Sequence, residues 1–322
     1  MSASSVPAFV VRHCSTAAVE AHALALPRWQ VRYDQTSGGH FTGQLDELQL
    51  DGIQVVRDRA NQAMLKCGEA WPGGLVFSLP LGGIDLEMYC EGHRHQEPCL
   101  LVTPGHRLPE LHTPAQVELL SFAVDQRLVD WLLERQCCDQ PSRTRTLYRM
   151  PSRSLHEVQC VSQDLFDSHT LTSAMRTHAV VRRGTRDGLL QLLLDMLDTT
   201  EAAPLRPSAR KRLVDRARDY ALANAERAPT VLELCGHVGA SRRKLQYCFQ
   251  ESLGTNPVAY LRTLRLNQVR RSLTSEGPGR SVQDIAAAWG FWHSSRFAGE
   301  YRQLFGQSPS ETRRQALGAL AG

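Results

Sequence analysis

The 322-residue sequence has no long apolar run and an odd number of cysteines. No stretch approaches the roughly 18 consecutive apolar residues that a membrane-spanning helix needs, and residues 1–15 have neither the basic start nor the apolar centre of a signal peptide. The nine cysteines cannot all pair within one chain and form no framework of a small secreted domain. We therefore expect a cytoplasmic protein with reduced thiols and no contact with a membrane.

Patterns that place a nucleophile, a phosphate or a catalytic metal are also missing. The chain has no Gly-x-Ser-x-Gly, Walker or His-Glu-x-x-His pattern, so we predict that it is not an enzyme and has no catalytic residues. Segment 90–99 contains two Cys, two His and two Glu within ten residues, and this content suggests a metal site of the cupin or zinc type. Its spacing suits neither site, and a solvated hairpin loop is the favoured interpretation, so no metal ligand is predicted.

Charge divides the chain into two parts of opposite sign. Residues 206–322 contain 19 Lys and Arg against 9 Asp and Glu, whereas the upstream residues contain 18 against 24. A basic terminal domain is expected of a protein that neutralises phosphates. All but two of its cations are Arg, whose planar fork suits phosphate oxygens and guanine edges. A solvated basic face is the alternative that charge alone leaves open.

Residues 1–150 are predicted to be a β-rich domain that senses an effector. Short β-branched and apolar runs between positions 41 and 124 are separated by Gly, Pro and Asp turns. This pattern favours an antiparallel barrel or sandwich, and a cupin-like barrel holds one small ligand in its mouth. The aromatic candidates for lining that effector site are Trp29, Tyr33, Trp71 and Phe77, with packing in the core as the competing interpretation.

Residues 151–201 are predicted to be a helical dimerisation or connector segment. The stretch Leu189–Leu197 is apolar around most of its helix, so another surface has to cover it. A homodimer contact and packing against the chain's own barrel both explain the pattern. Residues 202–207 contain two prolines and no amphipathic period, so they are predicted to link this part to a second domain at 208–316.

A helix-turn-helix unit is predicted near 230–251. Thr230-Val231-Leu232-Glu233 has the form of a capping box, which begins a short amphipathic helix that ends at Gly239. Ser241 then caps a second helix whose outer side is almost entirely hydrogen-bonding. A protein that reads the DNA major groove requires a short helix, a glycine turn and a second helix with Arg and Gln near its start.

The same design recurs near 281–305, with a capping box at Ser281–Asp284 and a turn at Gly290. A helix predicted to begin at Asn256-Pro257 and to run to about Leu273 separates the two units. Its eighteen residues span roughly 27 Å, close to one turn of DNA. We therefore predict an all-α domain with two helix-turn-helix units, which can enter two successive major grooves.

The second unit contains a distinctive set of residues: Ile285-Ala286, Trp289-Gly290-Phe291, Ser295, Phe297, Tyr301, Phe305-Gly306, Ser308-Pro309 and Arg313. Through this set the basic domain resembles the DNA-binding domain of the AraC/XylS family of bacterial transcription regulators, whose signature lies in the second unit. This resemblance implies binding to promoter DNA and a partnership with RNA polymerase. The DNA contacts that it implies, together with the outward cations of the same helices, are Arg242, Arg243, Lys244, Gln246, Tyr247, Ser294, Ser295, Arg296 and Arg302.

A second resemblance covers the upstream part. It is a resemblance to the sensor domains of activators of ethanolamine-utilisation operons, at Trp29, Tyr33-Asp34-Gln35, Gly43, Glu47-Leu48, Asp51 and Ile53-Gln54-Val55, followed by Trp71-Pro72. The resemblance implies a catabolic target operon and a small amine or alcohol, such as ethanolamine, as effector. It also implies adenosylcobalamin as a candidate co-effector, although no cofactor is required.

Taken together, the sequence predicts an α+β chain, with a cupin-like antiparallel β-barrel and helices before an all-α DNA-binding domain. The predicted function is a sequence-specific transcription regulator, an activator that responds to a small molecule. A metal-dependent cupin-type enzyme domain fused to a DNA-binding tail is the alternative, which the metal content of the purified protein distinguishes.

Overall fold

A computed structural model of the chain describes residues 9–71, 73–82, 86–130, 145–198, 202–277 and 279–321. Its strands are β1 (Val10–Thr16), β2 (Gln30–Gln35), β3 (Gly43–Leu50), β4 (Ile53–Ala60), β5 (Met64–Glu69), β6 (Gly74–Gly82), β7 (Met88–Cys90), β8 (His93–His95), β9 (Cys99–Pro104), β10 (Leu108–Thr113), β11 (Val117–Asp125), β12 (Thr146–Arg149) and β13 (Ala202–Pro204). Its helices are α1 (Val19–Leu24), α2 (Ser152–Asp167), α3 (His169–Thr177), α4 (Ala179–Asp198), α5 (Ala209–Ala223), α6 (Val231–Val238), α7 (Arg242–Leu253), α8 (Pro257–Ser275), α9 (Val282–Ala288), α10 (Ser294–Phe305) and α11 (Pro309–Ala321).

The predicted α+β organisation is confirmed, with a sheet-rich N-terminal region and a helical C-terminal region. The strands form an eight-stranded antiparallel sheet in the order β1-β3-β4-β11-β6-β9-β12-β13 and a five-stranded antiparallel sheet in the order β2-β5-β10-β7-β8. Within the described residues no ladder joins the two sheets, so a two-layer sandwich replaces the predicted closed, cupin-like barrel. Alternating side chains specify the two faces of a strand, but they do not specify which edges pair. Residues 131–144 of the predicted β-rich domain lie outside the described residues.

The outer face of the eight-stranded sheet is covered by the chain's own helices. Phe77 on β6 is 1% exposed and belongs to an apolar cluster that includes residues of α2 and α4. The prediction that Phe77 lines an effector site is therefore wrong, and core packing is the correct interpretation. Its neighbour Ser78 points to the other face, because successive side chains of a strand alternate.

The leucine-rich part of α4 packs in that same cluster. Leu189, Leu190, Leu193, Leu194 and Met196 are all buried by it. Packing against the chain's own sheet, one of the two predicted explanations, is confirmed. These leucines are therefore not available as the homodimer contact that the sequence suggested.

The predicted linker is partly a strand. Ala202–Pro204 forms β13, which pairs with β12 at the edge of the eight-stranded sheet, and Leu205 is buried beside Cys90. An edge strand tolerates proline because one side of its backbone needs no partner. The chain therefore leaves the sheet only shortly before Ser208, whose side chain caps α5 by accepting a hydrogen bond from the Lys211 backbone N–H at 3.0 Å.

The helical C-terminal region is confirmed, with α7 ending at Leu253 and α8 at Ser275, slightly beyond the predicted ends near 251 and 273. Both capping boxes are formed, at Thr230/Glu233 and at Ser281/Asp284. Gly239 ends α6 with a positive φ of 66°, a conformation that glycine adopts without strain. None of the helices within the described residues is both long enough and apolar enough to cross a membrane.

Phe77→Ala is expected to lower the free energy of unfolding by about 3–5 kcal/mol, because it leaves a cavity in the apolar cluster. Circular dichroism during urea unfolding measures the change. Leu24→Ala is the control: Leu24 is 83% exposed, and its loss should change stability by less than about 0.5 kcal/mol. If Phe77→Ala instead leaves the stability unchanged and abolishes the response to the effector, Phe77 is a residue of the effector site.

Candidate nucleic-acid interface and ligand cavity

Helix α7 presents a polar outer face above an apolar inner face. The Ser241 side chain caps it by accepting a hydrogen bond from the Lys244 backbone N–H at 3.2 Å. Leu245, Cys248 and Phe249 are fully buried. The predicted DNA contacts of this helix, Arg242, Arg243, Lys244, Gln246 and Tyr247, are all exposed.

The cations of α7 are available to an external anion. Within the described part of the chain, no carboxylate forms an ion pair with Arg242, Arg243 or Lys244. Tyr247 is 46% exposed, and its hydroxyl accepts a hydrogen bond from Arg210 at 3.3 Å. The Arg210 guanidinium also lies 5.2 Å from the centre of the Tyr247 ring. Sequence reasoning missed Arg210 because it is 37 residues away on α5.

Helix α10 has a different balance of charge. Ser294, Ser295 and Arg302 are exposed, as predicted. Arg296 is exposed too, but its Nε donates to Glu300 at 3.0 Å, and Glu300 also pairs with Arg262. The Arg296 charge is therefore partly neutralised within the domain, whereas the three cations of α7 are not.

A cavity of about 50 Å³ lies between the two sheets. Two of the four predicted effector residues, Trp29 and Tyr33, line it. Trp71 lies outside that lining, where it packs near Val76 and stacks against the Arg28 guanidinium at 4.7 Å. The prediction that Trp71 contacts the effector therefore has no support in this geometry.

Polar groups that the sequence analysis missed also line the cavity. The Ser78 and Ser121 hydroxyls are 2.9 Å apart, and the Lys66 ammonium donates to the buried Asp58 carboxylate at 2.6 Å. Burial alone raises the pKa of Asp58, but Lys66 and a hydrogen bond from His22 outweigh burial and hold that pKa well below its usual range. Burial and the neighbouring Asp58 charge raise the pKa of Tyr33 well above its usual value. Lys66 could have been recognised, since it is one of only three lysines and interrupts an apolar strand.

The Cys- and His-rich segment 90–99 does not converge on one point. Burial raises the pKa of the Cys90 thiol well above its usual value and that of Cys99 to about 11, so both side chains are protonated thiols at neutral pH. The His93 ring is exposed and hydrogen bonds to the Arg206 carbonyl at 2.8 Å. Among the described residues, no three or more His, Cys, Asp or Glu side chains are grouped to hold a metal ion.

Comparison with known proteins places the helical region among transcription regulators. A family model described as a helix-turn-helix domain matches residues 234–315. A transcriptional regulator from Chromobacterium violaceum with an AraC-type DNA-binding domain is 33% identical; the match covers 33% of this chain and 93% of that one, with a TM-score of 0.31. The chain carries a helix-turn-helix DNA-binding domain of the AraC type.

Two curated relatives of the chain are named as regulators of operons. A probable thc operon regulatory protein from Rhodococcus erythropolis is 40% identical over 150 residues, which are 45% of each chain. The XylDLEGF operon transcriptional activator from Pseudomonas putida is 39% identical over 82 residues, which are 25% of this chain and 26% of that one. The chain thus matches less than half the length of either relative.

Gln246→Ala or Arg243→Ala should weaken promoter binding by roughly 1–3 kcal/mol and relax the preference at one or two base pairs. The physical reason is the loss of hydrogen bonds to base edges from an exposed helix face. Binding-site selection measures the preference, and Arg153→Ala on α2 is a control, since that exposed arginine lies in the N-terminal region. Identical base preferences for Gln246→Ala and the parent would exclude direct readout there.

Arg302→Ala should weaken binding to all sequences about equally, as the loss of a phosphate contact does. The plot of log affinity against log salt should also become shallower by about one unit. Titration of the specific site and of an unrelated duplex at several salt concentrations measures both effects. A loss confined to the specific site would instead make Arg302 a base contact.

Proposed function

We propose that this chain activates a catabolic operon and that a small molecule, bound between its two sheets, controls its contact with DNA. The observation that carries the proposal is the row of exposed cations on α7, unpaired within the described residues, in an AraC-family domain. Phosphates and base edges suit such a row because Arg and Gln offer several directed donors. In this proposal α6–α7 and α9–α10 act as two helix-turn-helix units joined by α8.

The inter-sheet cavity is the proposed effector site. Its wall combines apolar side chains with the polar groups of Tyr33, Lys66, Ser78 and Ser121. A small site with few convergent polar groups suits a short molecule that carries one or two hydrogen-bonding groups. Ethanolamine and other short amines or alcohols belong to that class, and the resemblance to activators of ethanolamine operons also supports them.

Adenosylcobalamin does not fit this cavity. A cavity of about 50 Å³ has room for only a few waters, and a corrin ring is many times larger. We therefore do not place adenosylcobalamin between the sheets, and we assign it no role in regulation.

RNA polymerase and a second copy of the chain are the proposed protein partners. Leu232 and Trp292 are large apolar side chains that are 82% and 69% exposed on the helical domain, which supports a protein contact there. They lie outside α7 and α10, the two helices that are proposed to contact DNA. No surface is assigned to a homodimer, because the leucines of α4 are buried.

The full chain should bind its own promoter region with an affinity that falls steeply between 50 and 200 mM salt, because each phosphate contact releases counterions. A double variant, Arg242→Ala with Arg243→Ala, should make the plot of log affinity against log salt shallower by up to about two units. Fluorescence anisotropy with labelled promoter DNA measures both. Binding that does not depend on salt would contradict the proposal that α7 contacts DNA phosphates.

Tyr33→Phe should raise the ethanolamine concentration that gives half-maximal promoter activity by about 2- to 10-fold, since it removes one hydroxyl from the cavity wall. A promoter reporter in cells measures the response. Tyr148→Phe is a matched control, because Tyr148 is buried in the cluster on the opposite face of the eight-stranded sheet. If neither ethanolamine nor any other short amine or alcohol changes the reporter, the proposed effector class is wrong.

A further inference from the structure

A row of polar side chains crosses one end of the outer face of the eight-stranded sheet. The register places four residues directly opposite one another, Ser15 on β1, Gln44 on β3, Arg59 on β4 and Glu118 on β11. Directly opposed side chains point to the same face of a sheet, so these four form one row. The row lies on the face that α2 and α4 cover further along, since Leu120 on β11 is buried in their cluster.

This row lines an open groove of about 540 Å³. Asn61, directly after β4, and Gln116, directly before β11, add amide groups to the groove. Sites for small molecules typically have volumes of about 300–1,000 Å³, so the groove is large enough for a molecule of metabolite size. It is separate from the cavity between the two sheets, because the row and that cavity lie on opposite faces of the eight-stranded sheet.

A network of ion pairs lies beside the row, one step further along the strands. The Asp46 carboxylate is buried and accepts hydrogen bonds from Arg57 Nε and Arg59 Nη2, each at 2.8 Å. Arg57 also donates two hydrogen bonds, at 2.9 and 2.7 Å, to Asp167, the last residue of α2. Among the described residues, this network bonds only one of the three guanidinium nitrogens of Arg59, whereas it bonds all three of Arg57.

Arg59 and Glu118 lie directly opposite each other but do not form an ion pair. Unlike charges at such positions usually attract each other and pair. Arg59 is bonded to Asp46 instead, its Nε is buried without a hydrogen-bond partner, and its side chain is 37% exposed. Glu118 is partly exposed and forms no ion pair within the part of the chain that the structure describes. Two opposite charges therefore line the groove, and neither one neutralises the other.

We propose that this groove binds a zwitterion of the α-amino acid class. The ligand's carboxylate accepts hydrogen bonds from Arg59 and its ammonium donates to Glu118, and both contacts are charge-assisted. One carbon atom joins the two charged groups of an α-amino acid, so they suit two side chains that leave neighbouring strands directly opposite each other. The amides of Gln44 and Gln116 offer both donors and acceptors, which favours an amino acid with a neutral polar side chain.

Ligands of a single charge match the groove less well. An anion on Arg59 is repelled by Glu118 and Asp46. A cation on Glu118 is repelled by Arg59 and Arg57. Among the described residues that line the groove there is no aromatic side chain, so no ring face is available to a planar ligand. A zwitterion is the class of ligand whose charges match both sides of the groove.

Saturation-transfer difference NMR on the full chain tests the site with four probes, L-serine, L-threonine, L-asparagine and L-glutamine. At least one of them should give a saturable signal. Its Nα-acetyl derivative lacks the ammonium charge and its α-carboxamide lacks the carboxylate charge, so each should bind at least about tenfold more weakly. A carboxamide that binds equally well would indicate a simple cation site, and an acetyl derivative that binds equally well would indicate a simple anion site. Either result, or no binding by all four probes, overturns the proposal.

Glu118→Gln tests the position of the site, because it keeps the shape of the side chain and removes its charge. The bound probe should lose at least about fivefold in affinity, and its advantage over the Nα-acetyl derivative should disappear. Glu69→Gln is the matched control: Glu69 is an exposed carboxylate at the end of β5 on the other sheet, and its loss should change neither value. An advantage that persists in Glu118→Gln would mean that the probe binds elsewhere and would overturn the assignment to this groove. Neither DNA nor the effector is present, so the result is independent of the proposed regulatory function.

Discussion

Burial of the five-stranded sheet on both of its faces is the constraint on which the arrangement of this molecule depends. An antiparallel sheet commonly packs one face on a core and leaves the other in water. Here the second face carries Asp34 and Glu110, whose burial is tolerable only because cations of α5 and α8 lie against them. The sandwich and the DNA-binding domain therefore share an interface that neither part satisfies alone.

The charge division along the chain has two roles in this arrangement. Some cations of the basic domain, among them Lys211, Arg218 and Arg271, neutralise carboxylates of the acidic domain. Others, such as Arg242 and Arg243, stay exposed on α7. A count of charges alone makes all of them equivalent candidates for phosphate contacts. Only contacts between residues far apart in the chain separate the cations that hold the domains together from those available to DNA.

The cavity between the two sheets shows how the face of a strand decides which side chains line it. Trp29 and Tyr33 were predicted to line an effector site and do lie beside the cavity, whereas Phe77 was predicted there and lies in the core under α4. Composition identifies aromatic residues but not the side of the sheet on which each one lies. The pairing of β6 with β9 and β11 sets that side, and it turns Ser78 rather than Phe77 towards the cavity.

Interactions between residues close together in the sequence by themselves determined the helices of the C-terminal region. The capping boxes at Thr230 and Ser281, the turn at Gly239 and the apolar stripes specify helices through contacts within a few residues, and they were therefore predictable. Tertiary structure alone decided the rest: two sheets instead of a closed barrel, a strand within the predicted linker, leucines of α4 buried within the chain, and Asn267 bonded to Gln35. Those features join residues that are tens to hundreds of positions apart. Their geometry depends on which strand edges and helix faces meet, and no local pattern carries that information.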